Sequence, residues 1–369
     1  MKKNKVCHIT SAHPDGDVRI FHKECVSLAE EGYDVSLVIP NTESRIENGV
    51  NIVSFIYKPS SRLSRFTKSV NLAYKKALEL DADIYHLHDP ELLRIAVKLK
   101  KKGKKVIYDA HEDLPRQILS KQYLKPIVRK FISSRIEKYE NKVAKKLDVI
   151  VTATPYIRNR FLKVNPNSID INNFPIIKEL LFDFEYDHKK GNKICYVGGI
   201  TTVRGINELL DALEGAECSL LLAGAFLENG LRDSIINKNA WNKVEELGFL
   251  TREEVVNVYK KSKLGIVTLH PISNYYVSLP VKMFEYMAAG LPLIASNFPL
   301  WKDIILEHNA GICVDPMNPI KISEAINYIL NNPKEAKTMG ENGRKMVIEK
   351  YNWDIEKKKL IELYQKLSK

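Results

Sequence analysis

Long apolar runs are absent from this 369-residue sequence, and none approaches the ~18 residues that a membrane-spanning helix needs. The apolar stretch after the basic start at residues 1–5 is too short for a secretion signal, so we expect no signal peptide. Paired cysteine spacings are also absent, because the cysteines lie far apart among apolar neighbours: Cys7, Cys25, Cys195, Cys218 and Cys313. This pattern is typical of reduced core cysteines in a cytosolic protein.

Several nucleotide- and metal-binding motifs are missing too. No Gly-x-Gly-x-x-Gly follows the first predicted strand, which argues against an NAD-dependent enzyme. Two formal Asp-x-Asp matches, at 15–17 and 81–83, lie in the first half, and the second precedes a predicted strand. Neither is well placed to chelate Mg²⁺. Aromatic residues are not interleaved with the basic ones, as a stacking platform for nucleic acid requires.

What the sequence does contain is an α/β pattern in two halves, with 44% apolar residues to fill two cores. Strand and helix patterns alternate through the first half and restart at Ile194, after the polar stretch 183–192. This predicts two Rossmann-like, doubly wound parallel-sheet domains facing across a cleft. We place the first domain at residues 1–185 and the second at 193–350. A terminal helix at 354–369 is expected to pack back on the first domain.

The clearest local signal is a short helix late in the chain, between two apolar runs of strand length. Ser278 is predicted to cap this helix, with Pro280 in its first turn and Gly290 ending it. Strand, helix and strand form a βαβ unit of a parallel sheet, whose ligands bind where the strands end and helices begin. Lys282 in the first turn suits a phosphate. Glu285, one turn later, suits a sugar hydroxyl.

Positive charge is concentrated at residues 121–146, within a net charge of +12. Apolar residues recur there at helical spacing: Leu124, Val128, Phe131, Ile132, Ile136, Tyr139 and Val143. Such a helix either lies on an anionic membrane surface or buries its apolar stripe in the core. The two alternatives differ in where Phe131 and Leu124 point. We expect a basic surface near a lipid-linked acceptor, with the stripe mostly internal.

Histidines follow two neighbouring strands of the first half. His111 comes after the strand Val106–Asp109 and has carboxylates on both sides, which would orient its ring or raise its pKa. An ordinary loop histidine bonded to the backbone is the alternative. His86 and His88 end the neighbouring strand, and together with His111 they offer the ligands of a metal site.

Several short motifs in a fixed order resemble glycosyltransferase family 4, the large retaining group with the two-Rossmann-domain GT-B architecture. They lie at 15–20, 109–112, 196–199, 204–205, 221–224 and 280–290. The last of them is similar to the donor-binding helix of the subgroup that makes bacterial surface polysaccharides. The resemblance covers nearly the whole chain and implies the same GT-B α/β fold.

The resemblance also implies the site residues. A nucleotide-sugar donor would be held by Gly198, Gly199, Arg204, Ser278, Leu279, Lys282 and Glu285. Acceptor contacts would come from Gly16, Asp17, Arg19, His88 and His111. The implied catalytic residues are His111, Arg204, Lys282 and Glu285. Fixed cations would neutralise the leaving diphosphate, so neither a metal nor a cofactor is expected.

Each of these roles has a structural alternative. Arg204 and Lys282 would otherwise be solvated surface charges, and Glu285 one member of an ion pair on a helix face. Asp17 and Arg19 would otherwise cap the first helix.

Three positions depart from the family pattern. Val277 stands where the family often has the first of two glutamates, and Gly199 stands where arginine is common. Pro280 replaces a glycine whose backbone N–H often serves the donor. We hypothesise that Lys282 supplies the positive charge that Gly199 does not.

The sequence therefore predicts a cytoplasmic glycosyltransferase, peripheral at the inner face of the plasma membrane and attracted to its anionic surface. It would transfer a hexose or N-acetylhexosamine from a nucleoside diphosphate sugar to a lipid-linked surface glycan, of lipopolysaccharide or capsule, with retention of configuration. One alternative is a GT-B sugar-nucleotide epimerase, which uses the same donor without an acceptor. A basic nucleic-acid-binding or regulatory protein is the alternative of another class, although no nucleic acid partner is expected.

Overall fold

A computed structural model describes residues 4–57, 65–121, 124–182 and 191–369. The chain forms two compact units, and the first of them is discontinuous. The first unit contains Met1–Asn173 together with Trp353–Lys369, and the second contains Phe174–Asn352. The sequence prediction placed the boundary at the polar stretch 183–192, most of which lies outside the described residues.

The first unit is built on an eight-stranded sheet in the order β3-β4-β2-β1-β5-β6-β7-β8. Its strands are β1 Lys5–Ile9, β2 Asp34–Pro40, β3 Arg45–Glu47, β4 Val50–Phe55, β5 Ile84–Leu87, β6 Lys105–Ala110, β7 Val149–Thr152 and β8 Ser168–Asp170. Strand β3 runs antiparallel to β4, and the remaining described pairs are parallel. Parallel strands are covered on both faces, which explains their continuous apolar sequence.

Helices cover this sheet, and the last helix of the chain is one of them. The α-helices of the first unit are Val26–Glu30, Val70–Glu79, Leu93–Lys101, Leu114–Leu119, Pro126–Ala144, Pro155–Leu162 and Trp353–Leu367. The last of these, the terminal helix, donates a hydrogen bond from Trp353 Nε1 to Ser27 Oγ over 3.0 Å. Its Glu356 carboxylate accepts a hydrogen bond from the Asn172 backbone N–H over 2.9 Å.

The sequence predicts a single helix over 20–31, but the structure begins with the segment Val18–Cys25, which winds as a π-helix, and continues as the α-helix Val26–Glu30. A π-helix bonds each residue to the one five positions away, so residues with that spacing share a face. Arg19 and Glu24 have this spacing, and both are buried with Arg19 Nε 3.2 Å from Glu24 Oε1. The wider turn therefore turns both side chains inward.

The second unit contains a six-stranded parallel sheet in the order β11-β10-β9-β12-β13-β14. Its strands are β9 Lys193–Val197, β10 Ser219–Ala223, β11 Val244–Gly248, β12 Gly265–Val267, β13 Leu293–Ser296 and β14 Gly311–Val314. Its α-helices are Ile206–Glu214, Leu231–Ile235, Arg252–Lys261, Val281–Ala288, Pro299–Glu307, Pro319–Asn331 and Pro333–Lys350. The predicted α/β class with two doubly wound sheets is thus confirmed.

Two strands and three α-helices escaped the sequence prediction. They are the strands Arg45–Glu47 and Ser168–Asp170 and the helices Leu114–Leu119, Leu231–Ile235 and Pro299–Glu307. All but the last are too short to show a period of their own, and tertiary packing decides their conformation. Among the described residues, no helix is both long enough and apolar enough to cross a bilayer.

Candidate active site

A pocket of about 990 Å³ opens where the central strands of the first sheet end. Strands β1, β5 and β6 are neighbours in this sheet, so the loops that follow them meet at one edge. Those loops contribute His13, His88 and His111 to the pocket wall. The start of the π-helical segment adds Asp17 and Arg19. The sequence prediction placed all of these except His13 in the site.

Asp109 organises the floor of this pocket. Its carboxylate accepts two hydrogen bonds from Arg19, over 2.9 and 2.8 Å, and lies 3.0 Å from His111 Nε2. Burial alone would raise the pKa of Asp109, but Arg19 and His111 hold that pKa well below its usual range. Asp109 is therefore an anion, and His111 Nε2 must carry a proton to donate to it.

Arg19 is a structural cation rather than an exposed acceptor contact. The side chain is only 4% exposed. Besides its two bonds to Asp109, its Nη1 donates to the Ile171 carbonyl over 2.8 Å. These bonds leave it fixed behind the pocket surface. The sequence left open whether Arg19 lines the pocket, and the structure gives it a wall position with its charge turned inward.

Asp17 combines the two roles that the sequence left open. Its Oδ1 accepts hydrogen bonds from the backbone N–H groups of Arg19 and Ile20, both over 2.9 Å, and so caps the π-helical segment. Its Oδ2 lies 3.0 Å from His13 Nδ1 in the pocket. Gly16 before it has a φ of +72°, so its role is a left-handed turn. Gly16 is not among the residues that line the pocket.

His13 is a site residue that the sequence analysis missed. Its ring lies between two carboxylates, with Nδ1 3.0 Å from Asp17 and Nε2 3.5 Å from Asp89. Burial lowers the pKa of His13, but the bond to Asp17 and the charge of Asp89 outweigh burial and raise it overall. Its position in the sequence could have identified it, because His13 follows β1 and therefore lies at the sheet edge that also carries His88 and His111.

The metal trio suggested by the sequence does not form. His88 Nδ1 lies 3.2 Å from His111 Nε2, but His86 belongs to a different cluster. Among the described residues, one group of metal-ligand type combines His88, Asp109 and His111, and the other combines His8, Glu24, His86 and His88. Hydrogen bonds run through the second group: His8 Nδ1 lies 2.9 Å from His88 Nε2.

In the second unit, the turn after β9 holds a glycine pair against a cation. Gly198 has a φ of +147°, and Arg204 Nη1 donates to the Gly199 carbonyl over 3.1 Å. A Cβ on Gly199 would lie 2.6 Å from Leu227 Cδ1 and 2.9 Å from Arg204 Nη1. A side chain there would thus displace Leu227 or Arg204. Gly224, in the next loop, is packed even more tightly, since its Cβ would lie 1.8 Å from the Gly198 carbonyl oxygen.

The loop after β12 packs against the same turn, because β12 is the neighbour of β9. The His270 backbone N–H donates to the Val203 carbonyl over 2.9 Å, and His270 Nε2 lies 3.0 Å from Glu208. A Cβ on Gly205 would lie 2.0 Å from the Thr268 carbonyl oxygen. The loop that leads to the predicted donor helix is therefore held beside Arg204. The sequence analysis did not identify His270.

Glu285 lies on the helix Val281–Ala288, only 2% exposed and surrounded by donors. Arg252 reaches Oε1 over 2.7 Å, and Lys282 and Tyr259 reach Oε2 over 2.6 and 2.8 Å. Burial raises the pKa of Glu285, but Lys282 and Arg252 outweigh it and bring that pKa to about 2. The helix-face ion pair, one of the two alternatives for Glu285, is thus present. Binding of ribose by Glu285 stays a prediction.

The prediction for the start of this helix was wrong. Pro280 is the N-cap residue and no side chain caps the helix. Ser278 Oγ instead donates to the Tyr275 carbonyl over 3.1 Å, and the Ser278 carbonyl accepts a bond from Trp301 Nε1 over 2.8 Å. These bonds hold Ser278 in the preceding turn, two residues too early to cap. Leu279 beside it is half-buried against the core.

The basic helix Pro126–Ala144 exposes more apolar surface than the sequence analysis expected. Ile127 is 82% exposed and Phe131 is 63% exposed, while Leu124 lines the pocket. The guanidinium of Arg135 lies 5.5 Å from the Phe131 ring centre. Since Phe131 points outward, the expectation of a mostly internal stripe was wrong for this part of the helix.

The fold agrees with what comparison with known proteins finds. Residues 15–171 match the Glycosyltransferase Family 4 domain, and residues 179–346 match the domain described as Glycosyl transferases group 1. Each match falls on one of the two sheets. Together with the two doubly wound sheets, these domain matches show the GT-B fold.

Individual relatives and structures fit the same class. The chain is 29% identical over 177 residues to an uncharacterised glycosyltransferase of Methanocaldococcus jannaschii, covering 47% of this chain and 44% of that one. It is 21% identical to the D-rhamnosyltransferase WbpZ of Pseudomonas aeruginosa, covering 75% and 71%. The sucrose-phosphate synthase structure from Thermosynechococcus elongatus superimposes with a TM-score of 0.79 at 18% identity, over 99% of both chains. Anabaena HepE in complex with UDP-glucose gives 0.72 at 14% identity, over 98% of this chain and 100% of that one.

The extent of the sequence matches is limited. The chain spans between 44% and 60% of the length of the first curated relatives that it matches.

Proposed function

We propose that this protein transfers a hexose or N-acetylhexosamine from a nucleoside diphosphate sugar to a lipid-linked surface glycan, with retention of anomeric configuration. The observation that carries the proposal is the β9 turn of the second unit. There Gly198 and Gly199 carry no side chains of their own, and Arg204 Nη1 donates to the Gly199 carbonyl. Such a turn lets a diphosphate approach the backbone closely.

The second unit is the proposed donor site. Arg204 and Lys282 follow two adjacent strands, so both cations serve the same edge of the sheet. Lys282 lies in the first turn of its helix, where the backbone dipole adds to its charge. Positive charge fixed in this way stabilises the leaving diphosphate as the bond to the sugar breaks. UDP-glucose in the complex of Anabaena HepE, a protein with the same fold, supports this choice of donor class.

Lys282 and Glu285 are proposed to change partners when the donor binds. Lys282 bonds to Glu285 over 2.6 Å, and Arg252 and Tyr259 also hold that carboxylate. Even after Lys282 turns to a phosphate, two donors remain on Glu285. Glu285 can then accept a ribose hydroxyl without becoming an unpaired buried anion.

The pocket of the first unit is the proposed acceptor site, with His111 as its reactive side chain. Because His111 Nε2 donates to Asp109, Nδ1 is the nitrogen left to act on a substrate. Neutral Nδ1 accepts a proton or a hydrogen bond from a sugar hydroxyl. His13 and Asp17 supply further polar contacts in this pocket. No step in this proposal requires a metal ion.

The lipid-linked acceptor is proposed from the helix Pro126–Ala144. Exposed Ile127 and Phe131 lie among exposed Lys130, Arg135 and Lys138. A helix with this mixture lies in the head-group region of an anionic bilayer, where a lipid-linked glycan would be presented. The name of the matched relative, a D-rhamnosyltransferase, is consistent with assembly of a bacterial polysaccharide.

Thermal-shift measurements with a panel of nucleotides and nucleotide sugars test the donor site. We expect one nucleoside diphosphate and its sugars to stabilise the second unit, by about 2.7 kcal/mol at 100 times the dissociation constant. Lys282→Ala and Arg204→Ala should each abolish most of the shift. Lys321→Ala is the matched control, because Lys321 forms the same kind of ion pair with Glu324, three residues further along a helix.

Incubation with the donor identified in this way and with a lipid extract then tests the transfer. We expect the labelled sugar to appear in the lipid fraction with the configuration that it had in the donor. Conversion of the donor to an isomer without any acceptor would instead support an epimerase. If no nucleotide stabilises the protein, the proposed function is wrong.

A further inference from the structure

A line of buried side chains leads from the pocket floor to the terminal helix. His88 Nδ1 lies 3.4 Å from Asp109 Oδ2, and His88 Nε2 lies 2.9 Å from His8 Nδ1. His8 Nε2 lies 3.2 Å from the Tyr364 hydroxyl, which lies 2.8 Å from His86 Nδ1. Every member is at most 2% exposed. Water therefore does not compete for these hydrogen bonds.

The chemistry of Asp109 sets the direction of the whole line. His88 Nδ1 lies 3.2 Å from His111 Nε2 and 3.4 Å from Asp109 Oδ2. His111 Nε2 directs its proton to Asp109, and an ionised carboxylate only accepts. In this line His88 Nδ1 is therefore protonated toward Asp109 as well, with His88 Nε2 as an acceptor. His8 must accordingly donate from Nδ1 and accept at Nε2. The donor to that Nε2 is the Tyr364 hydroxyl, whose oxygen is left to accept from His86 Nδ1. All three histidines are thus Nδ1–H tautomers, whereas free neutral imidazole prefers Nε2–H.

Burial keeps these histidines neutral, as the line requires. The pKa of His88 is lowered to about 4, and the pKa values of His8 and His86 are lowered well below the usual range, with burial the main cause in each. The other nearby carboxyl group is Glu24, which lies 4.0 Å from His8 Nδ1 and 3.8 Å from His86 Nδ1. Burial and Asp109 raise the pKa of Glu24 well above its ordinary value, which favours its neutral form.

We propose that Tyr364, in the terminal helix, is a positioning residue for His111, acting through His8, His88 and Asp109. The inference rests on the proposed function, since it assigns His111 a part in transfer. Tyr364 is 0% exposed and touches neither the pocket nor a substrate. Its hydroxyl supplies the proton that fixes the tautomer of His8. That tautomer fixes the tautomer of His88, and His88 holds Asp109 in place below His111.

Loss of the Tyr364 hydroxyl reverses the tautomers of the line, beginning at His8. His8 Nε2 loses its donor, so His8 returns to the Nε2–H form and turns a lone pair toward His88. His88 must then donate from Nε2 and turn its Nδ1 lone pair toward the Asp109 carboxylate. Two acceptors facing each other repel, and an unpaired buried acceptor is costly. Asp109 shifts as a result, and His111 loses its fixed orientation.

Nuclear magnetic resonance of the wild-type protein with ¹⁵N,¹³C-labelled histidine tests the line without any activity measurement. We expect His8, His86 and His88 to be neutral Nδ1–H tautomers at pH 7.5. Assignment comes from single histidine-to-glutamine variants. An Nε2–H tautomer at His8 or at His88 overturns the proposal. So does stoichiometric metal in the purified protein, because His8, Glu24, His86 and His88 have ligand atoms within 4.8 Å of one another.

Kinetics of Tyr364→Phe test the effect on His111. We expect kcat to fall on the order of tenfold, the lower end of what hydrogen-bond partners of functional histidines contribute. The KM for the donor should not change, since Tyr364 lies in the first unit. The matched control is Tyr85→Phe, which removes another buried hydroxyl of this unit, one that bonds only to the backbone at Ala77 and Ala82.

The tautomer of His8, measured in each variant by nuclear magnetic resonance, is a second readout for these variants. In Tyr364→Phe, His8 should change to the Nε2–H form, while in Tyr85→Phe it should not. An unchanged kcat in Tyr364→Phe, or an equal fall in both variants, contradicts a positioning role. The tautomers are measured without a substrate, so failure of the proposed function and failure of this inference can be told apart.

Discussion

Asp109 connects the pocket histidine His111 to the buried histidine His88 in the first unit. Its carboxylate accepts two hydrogen bonds from Arg19. The same carboxylate lies 3.0 Å from His111 Nε2 and 3.4 Å from His88 Nδ1. Arg19 compensates its charge, and the two rings take its remaining acceptor capacity. The side chain is completely buried. Its surroundings are therefore tuned to an anion, and neutralising it affects all three partners together.

Asp109→Asn should destabilise the first unit strongly, because it leaves the buried Arg19 cation without its main partner. Removing one member of a buried pair costs about 3–5 kcal/mol. Urea unfolding measures the loss. The control is Asp81→Asn, which breaks an exposed pair with Lys104 and should cost no more than about 1 kcal/mol. Similar losses in the two variants would show that Arg19 does not depend on Asp109.

Gly224→Ala should weaken donor binding without unfolding the protein. The added methyl group would lie 1.8 Å from the Gly198 carbonyl oxygen, so the turn that faces the diphosphate must move. We expect at least a tenfold rise in the dissociation constant of the nucleotide, measured by calorimetry. Gly230→Ala is the control, because Gly230 also has a positive φ, +75°, but open space around its Cβ position. Equal effects of both changes would point to backbone strain rather than to the turn.

The limits of sequence reasoning are clearest for single residues. The family resemblance, together with positions near the ends of strands, led us to predict Glu285, Arg204, Lys282 and His111 as site residues. It gave no sign that Arg252 holds Glu285 or that Tyr364 reaches His8. Those partners are 33 and 356 positions apart in the chain, and no local pattern connects them. Sheet order brings them together, and sheet order is a property of the folded chain.

Elements were predicted best where they repeat a simple period. The sequence predicts helices over 252–261 and 319–331, and the structure has Arg252–Lys261 and Pro319–Asn331, each with a side-chain cap at its start. The sequence also predicts an ordinary helix over 20–31, and it does not distinguish the π-helical segment Val18–Cys25, because a π-helix differs only in which residues share a face. Buried contacts of Arg19 and Glu24 decide that difference.

The exposed face of the helix Pro126–Ala144 leads to a prediction about membranes. Ile127→Ser with Phe131→Ser should abolish flotation with vesicles rich in phosphatidylglycerol, because each apolar side chain contributes about 1.5–3 kcal/mol when removed from water. The control is Phe249→Ser with Ile320→Ser in the second unit, where both side chains are also exposed.

The vesicle composition provides the second half of that test. Wild-type binding should fall with added salt and with neutral lipid, since basic residues share the face with Ile127 and Phe131. Binding that does not depend on anionic lipid would remove the electrostatic part of the proposal. Equal flotation of the two double variants would remove the helix from it.

At the scale of the whole molecule, three buried neutral histidines make stability depend on pH. The pKa values of His8, His86 and His88 lie below the ordinary value of 6.5, so the unfolded chain binds more protons than the folded one below that pH. Stability should therefore be greatest above pH 6.5 and fall as the pH decreases toward 4. By pH 5.5 the three groups together remove about 4 kcal/mol. The raised pKa values of His13 and Glu24 oppose part of this loss, so the net fall is smaller.

Fluorescence of Trp353 measures how the stability of the first unit, which contains the three histidines, depends on pH. Among the three tryptophans, Trp241 and Trp301 belong to the second unit, and their replacement by phenylalanine leaves Trp353 as the reporter of the first. Urea unfolding at pH 7.5 and pH 5.5 should show the fall in stability, and His86→Gln should reduce it. A pH dependence that His86→Gln leaves unchanged would mean that His86 is protonated in the folded state or reaches solvent.

The return of the terminal helix to the first unit has a practical consequence for the construction of hybrid proteins. A hybrid that joins the first unit of one protein to the second unit of a relative needs two junctions, near Asn173 and near Asn352, rather than one. A single crossover would graft a foreign Tyr364 equivalent beneath the native histidines. Such hybrids should express yet turn over slowly, and restoring the cognate last seventeen residues, Trp353–Lys369, should repair them.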